Sequence, residues 1–231
     1  MHDITFLRGV LQYAPSAWED CDEVSAASIV AALPLLNKHG LIGKSTPRKR
    51  RPTDEELHDL IEYLTAQDDR SHIKVVPCIM FALASTRRRG EICRLQWGDI
   101  DWEKRTYMIR DVKHPTKKKG NDMSFTLYSE LAEIIKRQPR KPGDDRIFPF
   151  HAKSAGAKYT RFKNELAELH PGMFMDLRFH DNRGEAITNW LKKLPPQKVR
   201  KFISGHKTGA IFDRVYDRTD PADGHDALRA A

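Results

Sequence analysis

Cysteine is scarce: the 231 residues contain 3, at Cys21, Cys78 and Cys93, widely spaced and with no Cys-x-x-Cys pair. That pattern excludes a disulfide framework and a structural zinc site. No stretch approaches the ~20 apolar residues that a membrane span requires. The start, Met1-His2-Asp3-Ile4, lacks the basic-then-apolar layout of a signal peptide. Nor is there an internal repeat or a long low-complexity tract. The chain reads as a soluble intracellular protein of one generous domain, or one compact domain with a fragment of another.

Charge is what the sequence has in abundance. There are 40 Lys and Arg against 32 Asp and Glu, so 40 − 32 = +8, while hydrophobic residues make up 39%, enough for a substantial core. A net positive chain suits a polyanionic partner, because neutralised phosphates release counterions into bulk solution. An anionic membrane surface, or good solubility alone, would suit it as well.

The densest positive stretch, Lys44-Ser45-Thr46-Pro47-Arg48-Lys49-Arg50-Arg51-Pro52, carries five cations and two prolines with no apolar periodicity. Proline pushes its neighbours toward extended conformations and like charges repel, so this segment reads as an extended linker. Its cations, Lys44, Arg48, Lys49, Arg50 and Arg51, suit a solvated loop or a strap across a phosphate backbone. Ahead of it, Phe6, Leu7, Val10, Leu11 and Ala14 fall at helical spacing, and a second helical stretch runs from about Asp22 to Asn37, kinked or divided at Pro34. So few helices make a poor core by themselves, so residues 1–43 read as a piece of a domain.

Past the linker, Thr53 with Glu56 three residues on reads as a capped helix start. Val75 to Ala84 reads as a buried helix with Pro77 in its first turn, and Arg88 to Leu95 as another turn or two. The period then changes. Thr106–Val112 and Met123–Leu127 alternate, which predicts a β-hairpin with a long cationic tip, Lys113 to Asn121. Helical patterning returns in Ala132–Arg137, Lys158–Leu169, Asp181–Lys193 and Gln197–Ile203. The expected fold class is α+β: mostly helical, with one small antiparallel β-sheet.

Several positions invite chemistry. In Thr86-Arg87-Arg88-Arg89-Gly90-Glu91, three successive arginines follow an apolar helix and cannot all point inward, because a buried guanidinium needs a partner. Glu91 lies one helical turn beyond Arg88 and is placed to hold it. Arginine's planar fork suits bidentate phosphate binding, though a charged helix terminus has the same look. His180 and Arg183 stand at i and i+3 near a helix N-terminus, where backbone N–H groups favour an anion. Ser204-Gly205-His206-Lys207 puts a further histidine at a helix-to-turn junction, and ten positions on stands Tyr216. Each pair alone is weak.

In order, the series Arg88 with Glu91, a hairpin lysine, His180-x-x-Arg183, Gly205-His206 and Tyr216 resembles the catalytic domain of the tyrosine recombinases of the phage integrase family. The likeness runs from about Pro52 to Tyr216. It implies an integrase-like catalytic core over residues 53–216, a basic linker at 44–52 and a C-terminal tail at 217–231. Residues 1–43 then look like the end of the family's core-binding domain. Two departures stand out: Thr86 occupies the family's usual glycine position, and the gap from His206 to Tyr216 is one residue longer than the family pattern.

The resemblance implies a site-specific recombinase that cleaves and rejoins DNA through a 3′-phosphotyrosine, with no metal, ATP or other cofactor. Tyr216 would be the nucleophile, and Arg88 and Arg183 would bind the non-bridging oxygens. His180 would accept the tyrosine proton, His206 would hydrogen-bond a phosphate oxygen, and Lys113 would protonate the leaving 5′-oxygen. Lys117, Lys118 and Lys119 lie close enough to Lys113 to share that role or to contact DNA. The implied partners are double-stranded attachment-site DNA and a tetramer of protomers assembled on it, monomeric when free, with accessory DNA-bending proteins as further company. The implied setting is the cytoplasm of a prokaryotic host. Two other readings remain open: an integrase-derived DNA-binding module that no longer cuts, and a type IB topoisomerase-like enzyme.

Overall fold

Val75 to Ser85 carries no charged side chain, and most of this helix is buried. In the computed structural model it is the helix around which the larger part of the chain is built. The structure describes residues 2–18, 24–42, 50–68, 71–113, 119–206 and 212. The chain divides into two compact units, residues 1–48 and 49–231.

The first unit is a helical pair, α1 (His2–Ala17) packed on α2 (Val24–Lys38). Pro34 does not divide α2, which continues through it as one helix. Among the described residues its buried apolar side chains are few, Ala14 and Ile42, while Phe6 and Tyr13 each remain 75% exposed. That is the thin core expected from so short a segment.

The second unit begins with α3 (Asp54–Asp68), whose entry follows from its sequence. Glu56 N–H donates to Thr53 Oγ1 (3.1 Å) and Thr53 N–H to Glu56 Oε2 (2.9 Å), a reciprocal capping box. Next come α4 (Val75–Ser85), α5 (Arg89–Ile92) and a 3₁₀ turn at Trp97–Asp99. Three antiparallel strands follow in the order β1 (Ile100–Asp101), β2 (Thr106–Ile109), β3 (Met123–Thr126). Tyr107 faces Phe125 and Ile109 faces Met123 across the β2–β3 pair. Tyr107, Ile109 and Phe125 turn into the core, as the alternation predicts. The remaining helices are α6 (Ser129–Lys136), α7 (Ala152–Leu169), α8 (Asp181–Leu191) and the short α9 (Pro196–Lys198), which runs on into a π-helical segment, Val199–Ser204.

The architecture is therefore mostly helical with one small antiparallel sheet. α4 lies at its centre, packed against α3, α6, α7 and α8. Cys78 and Cys93 are free, buried thiols. No helix among the described residues is long and apolar enough to cross a membrane.

Candidate active site

A helix ends with carbonyls that have no intrahelical partner, and together they form the negative end of its dipole. At the end of α4 these carbonyls are taken by long side chains, two from α8 and one from the turn itself. Trp190 Nε1 donates to Ala84 O (2.9 Å), Arg87 Nε to Ser85 O (3.2 Å) and Arg183 Nη1 to Thr86 O. Two guanidinium groups are thus seated at one helix C-terminus.

Arg88, the next residue, leaves the helix in an extended conformation and begins α5. Its Nη1 pairs with Glu91 Oε1 at 2.8 Å, while its own N–H donates to Glu91 Oε2 at 3.0 Å. Glu91 is buried. Burial pushes its carboxyl up, but Arg87 and Arg88, the Arg88 N–H and Arg183 outweigh that and hold it below the usual carboxylate range. The i,i+3 contact between Arg88 and Glu91 is the one the sequence predicts.

Arg183 comes from α8, which starts one residue after His180. It is 2% exposed, and its Nη2 lies 3.2 Å from His206 Nε2. His206 follows Gly205, which caps the π-helical segment in the left-handed conformation, φ 69°. His206 Nδ1 lies 2.8 Å from Ser204 Oγ. A guanidinium can only donate, so Nε2 is the acceptor and Nδ1–H is left to donate to Ser204. Burial pushes the imidazole down to about 3, helped by Arg183, Arg88 and Arg87, so it is neutral at physiological pH. His180 sits at the open end of α8. Desolvation lowers it first, then Arg183 and Arg88.

The fold therefore brings Arg88, Glu91, His180, Arg183 and His206 into one neighbourhood from three separate stretches of chain. Lys113 stands exposed at the neck of the hairpin, one residue beyond Val112. That neck is closed by Val112 N–H to Asn121 O (2.9 Å) and Asn121 Nδ2 to Val112 O (2.7 Å). Lys119 is exposed on the opposite side of the same neck. Tyr216, Lys44, Arg48, Lys49, Lys117 and Lys118 lie outside the described residues. Arg50 is engaged within the protein: its guanidinium pairs with Glu56 and reaches Met175 O (3.3 Å). Arg51 lies 3.7 Å from Glu185.

Two residues of this site are not apparent from the sequence. Arg87 is the arginine that points inward, 1% exposed, with its guanidinium carbon 3.8 Å from the centroid of the Phe125 ring. The triplet flags three arginines, but which one is buried depends on Phe125 and Ile203, both distant in sequence. Thr86, at the family's glycine position, adopts φ 61°, a conformation a β-branched residue rarely takes. Its hydroxyl donates to Ile203 O (3.2 Å).

Comparison with known proteins places this geometry. A putative integrase/recombinase of Haemophilus influenzae is 31% identical over 183 residues, covering 78% of this chain and 56% of the relative. A second from the same organism is 28% identical over 193 residues, covering 78% and 48%. The chain thus spans about half the length of these curated relatives. Solved structures share the fold at low identity. The Tn1549 transposon integrase in complex with circular intermediate DNA is 15% identical with a TM-score of 0.61, covering 97% of this chain and 84% of that one. A lambda integrase dimer bound to a COC′ core site is 16% identical with a TM-score of 0.64, covering 92% and 58%. XerA recombinase is 14% identical with a TM-score of 0.57, covering 99% and 82%. Residues 50–222, which carry the whole arginine and histidine cluster, match the sequence profile of the phage integrase family, and the chain belongs to that family.

Proposed function

We propose that this chain is the catalytic part of a site-specific DNA recombinase that breaks and rejoins strands through a phosphotyrosine. The observation that carries the reading is the meeting of the Arg88–Glu91 pair with the Arg183–His206 pair. With Arg87 beneath them, three guanidinium groups converge on one carboxylate, so the local balance is 3 − 1 = +2. A phosphodiester carries one negative charge and gains a second as a nucleophile adds. A fixed double positive charge in a partly dehydrated site therefore favours the transition state over the ground state.

In this scheme Tyr216 Oη attacks phosphorus, forming a P–O bond to the phenol as the bond to the 5′-oxygen breaks. The phenol proton passes to His180, whose neutral form, the one able to accept it, is favoured by desolvation and then by Arg183 and Arg88. Lys113 supplies the proton that leaves with the 5′-oxygen. Rejoining is the reverse: a 5′-hydroxyl attacks the phosphotyrosine and Tyr216 departs. The bond energy is kept in the ester, so no ATP is consumed. Arg88 and Arg183 hold the non-bridging oxygens, with Glu91 fixing the first of them. Ser204 can accept from or donate to His206 Nδ1. When phosphate draws Arg183 away, the tautomer can invert and free Nε2–H for a phosphate oxygen.

The organisation proposed with this activity is a helical segment resembling the end of a core-binding domain at 1–43, a basic linker at 44–52, the catalytic domain at 53–216 and a tail at 217–231. The substrate is double-stranded attachment-site DNA. A lambda integrase tetramer has been solved on a Holliday junction, and the same assembly is proposed here on DNA, from monomers, in a prokaryotic cytoplasm.

The test is a nicked suicide duplex built from the DNA at the ends of the element that carries this gene, incubated in EDTA. An SDS-resistant adduct with the wild type and none with Tyr216→Phe is the expected result. DNA binding without any adduct would leave a non-cutting DNA-binding module. Relaxation of unspecific supercoiled plasmid by the monomer would point to a topoisomerase instead.

A further inference from the structure

Arg87 is the one member of the arginine triplet that cannot reach DNA, since it is 1% exposed. Burying a guanidinium is costly, and an apolar side chain of similar length would fill the same space with no donor left over. One donor is left over here: Arg87 Nη1 is buried with no hydrogen-bond partner. What the guanidinium does that an apolar chain cannot is hold three separated segments at once. Nε donates to Ser85 O (3.2 Å), at the root of the turn that carries Arg88. Nη2 donates to Thr86 Oγ1 (3.2 Å) and to Ile203 O, three residues before His206. Its flat face lies on the ring of Phe125, 3.8 Å from the centroid, on strand β3 of the hairpin that carries Lys113.

The far end of this stack is equally constrained. A Cβ on Gly205 would fall 2.8 Å from the Phe125 ring, so the backbone just before His206 rests directly on that ring. The Arg88 turn, the hairpin and the His206 turn therefore meet at a single charged plate.

We propose that Arg87 is a positioning residue for the strand-breaking reaction. It sets the spacing of the Arg88 and His206 turns and adds positive charge beneath the phosphate, without touching it. This inference rests on the recombinase reading above.

The test uses the full chain carrying Arg87→Met, Arg87→Gln or Arg87→Lys. Wild type and variants are compared by melting temperature, by affinity for the nicked duplex, and by the single-turnover rate of adduct formation at saturating DNA. The ring-nitrogen shifts of His206 are titrated by NMR, a readout that needs no catalysis. His206 is faced by Arg183, Arg88, Arg87 and Glu91. Removing the Arg87 cation should therefore raise its titration midpoint.

The expected result for Arg87→Met is an adduct rate down about thirtyfold or more, with affinity within about threefold and the His206 midpoint raised. Arg87→Lys, which keeps the charge but not the planar fork, should recover only part of the rate while returning the midpoint toward wild type. If Arg87→Met does not fold, Arg87→Gln takes its place in the same comparison. A folded neutral variant that keeps the wild-type rate, or whose losses in rate and affinity run in parallel, overturns the proposal. A His206 midpoint unchanged in a folded neutral variant also overturns it. If the wild type itself forms no adduct, the recombinase reading fails, and the His206 titration then decides whether Arg87 acts on that turn.

Discussion

Arg183 Nη2 lies 3.2 Å from His206 Nε2, while its Nη1 is held by the carbonyl of Thr86. One planar group thus ties the end of α4 to the His206 turn, and only a fork can do so. Arg183→Lys keeps the charge but reaches one acceptor at a time. The expected outcome is a loss of about 10²–10³-fold in adduct formation, as for removal of a transition-state donor, with a much smaller loss in DNA affinity. Single-turnover cleavage and a binding isotherm on the same nicked duplex measure the two.

The pH dependence of stability follows from His206. Its imidazole is lowered to about 3 in the fold against 6.5 ordinarily. Between those values the unfolded chain binds a proton that the folded chain refuses, so stability falls as pH falls. His180 is shifted in the same direction. The slope approaches about 1.4 kcal/mol per pH unit for His206. Between pH 6.5 and 5 most carboxylates are still ionised, so the histidines dominate the change. Urea unfolding at pH 7, 6 and 5 should show that decline in the wild type and a shallower one in His206→Gln.

The parts of this site visible in the sequence are those fixed by local geometry. Arg88 with Glu91 and His180 with Arg183 each sit at i,i+3 across the first turn of a helix, the first as a capping contact, so short sequence spacing brings each pair together. The hairpin showed in the alternation of Tyr107, Ile109 and Phe125. The two-residue strand β1 is too short to have a period. The first turns of α7 are obscured because Gly156 sits in a stretch with little apolar patterning. Arg87 could not be singled out from its neighbours, because its burial is decided by Phe125 and by the carbonyl of Ile203. Thr86 reads as a departure from the family, and its hydroxyl, donating to Ile203 O and accepting from Arg87 Nη2, explains how threonine is held there.

Thr86 can be tested by separating its strain from its hydrogen bond. The left-handed conformation costs roughly 1–2 kcal/mol for a residue with a Cβ, and the hydroxyl bond returns about 0.5–1.5 kcal/mol. Thr86→Val keeps the strain, loses the bond to the Ile203 carbonyl and removes the hydroxyl that accepts from Arg87 Nη2. It should destabilise by about 1–2 kcal/mol. Thr86→Gly loses the same two bonds but relieves the strain, against roughly 0.5–1 kcal/mol of added chain entropy. It should fall within about 1 kcal/mol of the wild type. Denaturant midpoints should rank Gly above Val. The reverse order would mean that the backbone at 86 is not strained.

The same substitution at two glycines should have opposite consequences, because the added methyl meets different neighbours. At Gly156 on α7, a Cβ would lie 1.9 Å from Arg89 Nη1, the tip of a flexible side chain that can swing away. Alanine also suits a helix better than glycine by up to about 1 kcal/mol. Gly156→Ala should therefore leave stability unchanged or slightly raised, while displacing Arg89 from its place near the Phe179 ring. At Gly205, φ is 69° and the Cβ would press on Phe125, itself pinned by Arg87. Neither the ring nor the backbone can yield without moving His206. Gly205→Ala should cost about 2–4 kcal/mol from left-handed strain and overpacking together, and should abolish adduct formation even where the protein remains folded. Paired melting curves and cleavage assays on the two variants make the comparison. Equal effects at both positions would show that Phe125 does not support the His206 turn.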